Sequence, residues 1–281
     1  MRPVRFVCDA TALKGPWGAQ AEDVLVIGGF VIEECRVQPL LDAVRCKKNE
    51  IVGHPDVPVK WNLKDLKQAL GSYQLSHLEA ELKKKANPLR AGLLSNLIET
   101  EPILFASIFC CFGSTKKAIV ATKPTLTSFS FLNLLQRLGL WAKDSQPDSV
   151  RITLDWPEGS DRGPFEAEYL DAWRPDGVSA QETNFCGPLQ NLRFEPGLTF
   201  GVTALDPLLQ LCDLTVGATR SFIGYALTNG VKDFGVQQFA ALLPRFHRSA
   251  GGKVVSYGLA ISPATPQLKS KLNAGLANLQ A

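Results

Sequence analysis

Between Pro3 and Asp9 apolar and polar positions alternate, with Val4, Phe6 and Cys8 on one side and Arg5, Val7 and Asp9 on the other. That period predicts a strand with an acidic residue at its carboxyl end. The glycine- and proline-rich stretch Lys14 to Gly18 predicts a turn, and Asp23 to Ile32 a second strand with Gly28 and Gly29 inside it, so the two strands form a hairpin. Gln38 to Cys46 and Lys64 to Lys85 have helical spacing with charged faces, separated by a proline-interrupted loop from His54 to Pro58. Pro102 to Phe112 then reads as a third, buried strand. Thr125 to Lys143 reads as a helix, with Phe129, Leu132, Leu135, Leu138 and Trp141 on its apolar side. Val150 to Asp155 is a fourth alternating strand that again ends in aspartate. Gly163 to Trp173 predicts a short helix, Leu192 to Phe200 a fifth strand, and Asp206 to Tyr225 a long apolar helix.

Three strands in succession, followed by alternating helices and strands, call for a mixed sheet, antiparallel first and parallel where crossovers occur. This is the ribonuclease H-like order, although periodicity alone also permits other α+β arrangements. The expected fold class is therefore α/β: a ribonuclease H-like, five-stranded mixed sheet flanked by helices, with a helical insertion between strands 2 and 3. It is read as a single domain over 1–281, with a basic insertion at about 36–99 and a basic C-terminal segment at about 226–281. Gly28 and Gly29 belong to no GxGxxG or GxxxxGK[ST] pattern, so a bulge or close strand crossing accounts for them better than a nucleotide loop.

With 45% hydrophobic residues in 281 and a net charge of +3, the chain has material for a sizeable core. Its apolar runs are too short to cross a bilayer, and the start at Met1 lacks the apolar region of a signal peptide, so a cytoplasmic protein without membrane contact is expected. Seven cysteines without a CxxC pair are then expected as reduced thiols. A nucleophilic Cys8 or Cys212 with His54, His77 or His247 as base is the alternative they leave open. The charge is uneven: Arg36 to Arg90 holds eleven Lys/Arg against six Asp/Glu, and Asp144 to Asp213 holds four against thirteen. From Arg220 onward the count is seven against one. An acidic middle between basic segments suits a cation site beside a polyanion-binding surface, and solvated faces explain it equally.

Asp213 lies within Leu208 to Gly217, a helix segment so apolar that its surface must be largely buried. A carboxylate there needs a cation, a donor or a proton. Gln210 and Gly217 share its helical face. Asp9 and Asp155 each end a strand, where sheets present ligands, and taken with Asp213 they make an oxygen-rich set of the kind Mg²⁺ or Mn²⁺ prefers. Asp206 before Pro207 reads as a helix cap, while Glu158 and Asp161 are loop residues or a fourth ligand. Lys60 stands where it can meet a phosphate, and Lys83, Lys84 and Lys85 are candidate nucleic-acid contacts.

Asp9-Ala10-Thr11-Ala12, then Gly28-Gly29-Phe30-Val31, then Gln210-Leu211-Cys212-Asp213-Leu214 resemble three motifs of the bacterial domain-of-unknown-function 3800 family. In that family they read as a strand ending Asp-Glu-Ser-Gly, a Gly-Gly-containing strand and a helix with Gln-Leu-Ala-Asp. Val59-Lys60-Trp61 and Leu154-Asp155 are similar to its intervening motifs, so the likeness spans Phe6 to about Ser221. The resemblance implies a ribonuclease H-like fold and a role linked to mobile elements or defence against them. Ala10, Thr11 and Ala12 stand where the family has Glu, Ser and Gly.

Two functions follow as expectations. One is a nuclease in which Asp9, Asp155 and Asp213 bind Mg²⁺ or Mn²⁺ for phosphodiester hydrolysis, supported by Gln210 and Lys60. The other is a non-catalytic nucleic-acid or protein-binding module on the same fold.

Overall fold

The computed structural model of the chain describes residues 2–13, 24–72, 74–110, 123–156, 162–177 and 186–280. The alternation of the first segments carries into β1 (Val4–Leu13) and β2 (Val24–Glu33), which pair antiparallel with Asp9 opposite Gly28; the strand expected to end at Asp9 instead runs on to Leu13, because β2 continues to pair with it. Their predicted turn at Lys14 to Gly18 lies outside the described residues, as do Cys111, Glu158 and Asp161. The insertion follows as α1 (Glu34–Val52), α2 (Leu63–Ser72) and α3 (Glu79–Glu99). One helix was expected from Lys64 to Lys85. The chain instead breaks at Gln74, whose φ of 56° takes it out of the helical region, and α3 then runs on to Glu99.

β3 (Ile103–Cys110) returns to the sheet, followed by α4 (Lys123–Ser145), β4 (Val150–Asp155), α5 (Gly163–Trp173) and β5 (Phe194–Gly201). Next comes α6 (Pro207–Thr228), whose first amides at Leu208 and Leu209 donate to the Asp206 carboxylate, so Asp206 is the expected cap. The C-terminal segment forms α7 (Phe234–Leu242), β6 (Leu259–Ser262) and α8 (Pro266–Gln280).

The protein is a mixed α/β fold, and among the described residues its sheet has six strands in the order β5-β4-β1-β2-β3-β6. β2 pairs antiparallel with β1 on one side and β3 on the other, while β4 pairs parallel to β1, β5 to β4 and β6 to β3. The expectation of five strands is thus corrected to six. β6 is four residues long, too short to print a period of two on a sequence.

Strand alternation divides the interior into two cores. Val7, Val26, Phe30, Leu104, Ala106 and Ile108 pack against α1, α3 and α6, whereas Phe6, Cys8, Ile27, Phe105, Ile152 and Leu154 pack against α4 and α5. At Gly29 the backbone of β1 and the Cys212 side chain come so close that a Cβ would overlap the Val7 carbonyl oxygen. The glycine pair therefore marks a close crossing, as expected for glycines inside a strand.

Among the described residues no helix is long and apolar enough to cross a membrane. Cys8, Cys35, Cys46 and Cys212 are free thiols. Thiol titration under denaturing, non-reducing conditions is accordingly expected to find all seven cysteines of the chain reactive; a count near one would contradict it.

Candidate functional site

The parallel register of β1 and β4 ends at Cys8 opposite Leu154, which makes Asp9 and Asp155 the next residues on adjacent strands. Cys8 and Leu154 point into the α4–α5 core. Alternation then turns both aspartates to the other face, where α6 lies. That helix is seated on the sheet by Cys212, whose thiol donates to the carbonyls of Val7 (3.3 Å) and Gly28 (3.5 Å). The next residue is Asp213. Three elements far apart in sequence thus bring Asp9, Asp155 and Asp213 together beside the carboxyl end of β4, each partly buried.

Each carboxylate is held by a backbone amide. Asp9 Oδ1 accepts from Ala10 N at 2.6 Å, Asp155 Oδ1 from Thr203 N at 2.7 Å, and Asp213 Oδ2 from Trp61 N at 2.5 Å. Burial pushes Asp9 well above the usual carboxylate range, and the charges of Asp213 and Asp155 add to it, against the Ala10 amide and the Lys60 ammonium. Asp213 is pushed up to about 6, again by burial first, with Asp155 adding and the Trp61 amide, Lys60 and Arg90 opposing. The three groups are therefore electrostatic neighbours, as like charges sharing one site must be.

They do not form a finished ligand set. Among the described residues no group of three Asp, Glu, His or Cys side chains stands ready to hold a metal ion. One oxygen of each carboxylate is tied to an amide.

The donor chemistry nevertheless fits a hard divalent cation. All three side chains offer oxygen, and each keeps one oxygen outside those amide bonds.

Asp213 owes its amide donor to the loop between α1 and α2. Arg90, on α3, donates from Nη2 to the carbonyls of Lys60 (3.2 Å) and Trp61 (2.5 Å), and its guanidinium lies 5.1 Å from the Trp61 ring centre. Trp61 stacks on Phe234 with centroids 6.3 Å apart. Gly217 presents the smooth helix face on which the indole rests, because a Cβ there would overlap the ring. The small residue at 217 thus admits a tryptophan. The same clamp brings Lys60 near Asp9 and Asp213.

No protein-family model, curated protein or solved structure matches the chain. What the site can do therefore rests on its own groups.

Gln210 does not touch Asp213. Its Oε1 accepts from Lys48 Nζ at 2.5 Å, and its Nε2 donates to Ala204 O at 3.1 Å. Lys48 is 1% exposed, and burial lowers its pKa from 10.5 to about 8. Below pH 8 it is charged in both folded and unfolded chains, and the buried charge costs stability. Between 8 and 10.5 the folded protein has released the proton that the unfolded chain retains, so this contribution to stability rises with pH. Relative to Lys48→Met, the wild type is expected to gain about 3 kcal/mol across that window, at about 1.36 kcal/mol per pH unit. Denaturant unfolding of both proteins at several pH values measures it, and parallel stability curves would refute it.

The lysine triplet is not a continuous positive patch. Lys83 pairs with Glu79 at 2.6 Å, and Lys85 with Glu81 at 2.7 Å and the Ile51 carbonyl. Lys84 remains exposed. The cysteine alternative fails on burial: Cys8 and Cys212 are fully enclosed, and burial, then the Asp9 charge, pushes both thiols up, away from the reactive thiolate. Sequence reasoning missed Arg90, Thr203 and Lys48, and named Trp61 only as part of the Val59-Lys60-Trp61 motif. An arginine or lysine in a charged helix carries no mark of the carbonyl or amide it will meet.

Proposed function

We propose that the chain is a divalent-metal-dependent nuclease of the ribonuclease H-like type, related to the domain-of-unknown-function 3800 family its motifs resemble. What supports this reading is the delivery of Asp9, Asp155 and Asp213 from β1, β4 and α6 to the carboxyl end of β4, with Asp9 and Asp213 held against ionisation. The strand order around β1 agrees with it. Asp9, Asp155 and Asp213 would hold Mg²⁺ or Mn²⁺, which on binding supplies Lewis-acid stabilisation of charge on a phosphodiester. The Trp61 amide and the Arg90 clamp orient Asp213, the Thr203 amide orients Asp155, and Lys60 offers a cation toward a phosphate oxygen.

Labelled single- and double-stranded DNA and RNA, incubated with the protein and Mn²⁺ or Mg²⁺, test the reading. Cleavage that needs the ion and disappears in Asp9→Asn supports it. Absence of ion-dependent cleavage on every substrate overturns it.

The second reading, a non-catalytic nucleic-acid-binding module, is favoured by two observations. No ready three-ligand group is found among the described residues. Ala10, Thr11 and Ala12 also replace the polar residues of the resembled motif. Salt-dependent binding without cleavage, weakened by Lys84→Gln, would select it.

A further inference from the structure

Asp155 ends its strand, and its carboxylate is steadied by the amide of Thr203, in the turn that leads from β5 into α6. Asp206 N and Leu205 N in that turn both donate to Val202 O, at 3.0 and 2.8 Å, which closes the turn on itself. Its last residue, Asp206, caps α6, and a side-chain bond from the helix reaches the turn nearer Asp155: Gln210 Nε2 donates to the carbonyl of Ala204, beside Thr203. The amide that makes this bond is in turn fixed by Lys48 Nζ on its other atom, Oε1. Gln210 is 3% exposed and Lys48 1%. Lys48 belongs to α1, in the insertion, 162 residues away from Gln210 in the chain.

We infer that Lys48 and Gln210 are positioning residues, a buried link through which the insertion sets the 202–206 turn and thereby the orientation of Asp155. The order of contacts is Lys48 Nζ, Gln210 Oε1, Gln210 Nε2, Ala204 O, then Thr203 N on Asp155 Oδ1. The three contacts Lys48–Gln210, Gln210–Ala204 and Thr203–Asp155 are hydrogen bonds of 2.5 to 3.1 Å, and the peptide bond between Thr203 and Ala204 joins the last two. Lys48 also settles which way the amide faces. A lysine ammonium only donates, so Gln210 must offer it the oxygen and turn its NH₂ to the turn. Replacing a lysine by any group that accepts would free the amide to flip and release Ala204. An ammonium is costly to bury for packing alone, which a methionine of similar length would achieve. The insertion is on this account part of the site on two sides, through Arg90 toward Asp213 and through Lys48 toward Asp155.

The proposal rests on Asp155 belonging to the site, and its test separates the two ideas. Gln210→Glu keeps an acceptor for Lys48, so the helix contact survives, and it removes the donor to Ala204. In the metal-free variant the Thr203 amide is expected to exchange with deuterium at least about tenfold faster, with global unfolding little changed. Mn²⁺ affinity of the full chain is expected to fall about 10- to 100-fold, as when a partner of a metal-ligating carboxylate is lost. Gln210→Met, which can neither accept nor donate there, serves as a second variant should Gln210→Glu fold poorly, and the same exchange change is expected. Wild-type exchange at Thr203 in a folded variant overturns the link. Faster exchange, with no Mn²⁺ binding even by the wild type, keeps the link and sinks only the metal reading.

Discussion

Asp213→Asn is expected to remove ion-dependent cleavage, by ~10³-fold or more in turnover, while making the metal-free protein more stable. Asparagine keeps the shape of the side chain and an oxygen to accept from Trp61 N, but not the charge. Asp213 titrates near 6 in the folded protein against 3.8 ordinarily. Below 3.8 it is protonated in both states and contributes nothing. From 3.8 to 6 only the unfolded chain ionises, so the wild type loses stability as pH rises, and above 6 the penalty is complete. At about 1.36 kcal/mol per pH unit it reaches roughly 3 kcal/mol. The variant lacks this slope, and at pH 7 it should melt at a higher temperature than the wild type. Added Mn²⁺ should raise the wild-type melting temperature and leave that of the variant unchanged, because an ion that binds only the folded state stabilises by mass action. Melting curves at pH 4, 5.5 and 7 with and without Mn²⁺, beside a cleavage assay, check each part. A variant that merely unfolds would show Asp213 to be structural and remove it from the site.

Gly217→Ala should damage the site from a residue that carries no chemistry. Alanine in a helix ordinarily gains up to about 1 kcal/mol over glycine. Here its Cβ would overlap the Trp61 indole, itself held between Phe234 and Arg90. Overpacking of this kind costs about 1–3 kcal/mol, so a net loss of stability is expected. The ring has to leave its seat, and with it goes the amide that donates to Asp213 Oδ2. Deprived of that donor, the carboxyl should titrate above its present value of about 6, and Mn²⁺ should bind more weakly. Carboxyl-carbon NMR follows the titration and denaturant unfolding the stability. Gly71→Ala is the control: it sits on α2 with nothing within 4 Å of a new Cβ, and it should stabilise slightly. If both substitutions behave alike, the indole clamp does not position Asp213.

The three aspartates could be picked out before any coordinates because each violates its surroundings locally. Asp9 interrupts the apolar run of β1, Asp155 closes β4 and Asp213 interrupts an apolar helix, so the misfit is visible in a window of ten residues. The residues that hold them have no such signature. Trp61, Thr203 and Ala204 act through backbone groups, which every residue possesses, and Arg90 and Lys48 lie on helices where charge is ordinary.

Element order and the mixed character of the sheet were also local properties, since period and turn chemistry are written in neighbouring residues. The number of strands was not: β6 is four residues long and exists because β3 offers it an edge. The two pairs that sequence placed together, Gln210 and Gly217 with Asp213, show the same division. Helical spacing does put them on one face, but what a face meets is set by the elements packed on it. Gln210 turned to a lysine from the insertion and Gly217 received an indole. Sequence alone determined which residues would be out of place in an apolar setting, because the cost of burying charge is a property of the residue and its neighbours. Only the tertiary structure decided their partners, because those come from segments as much as 162 residues away, and no local period records them.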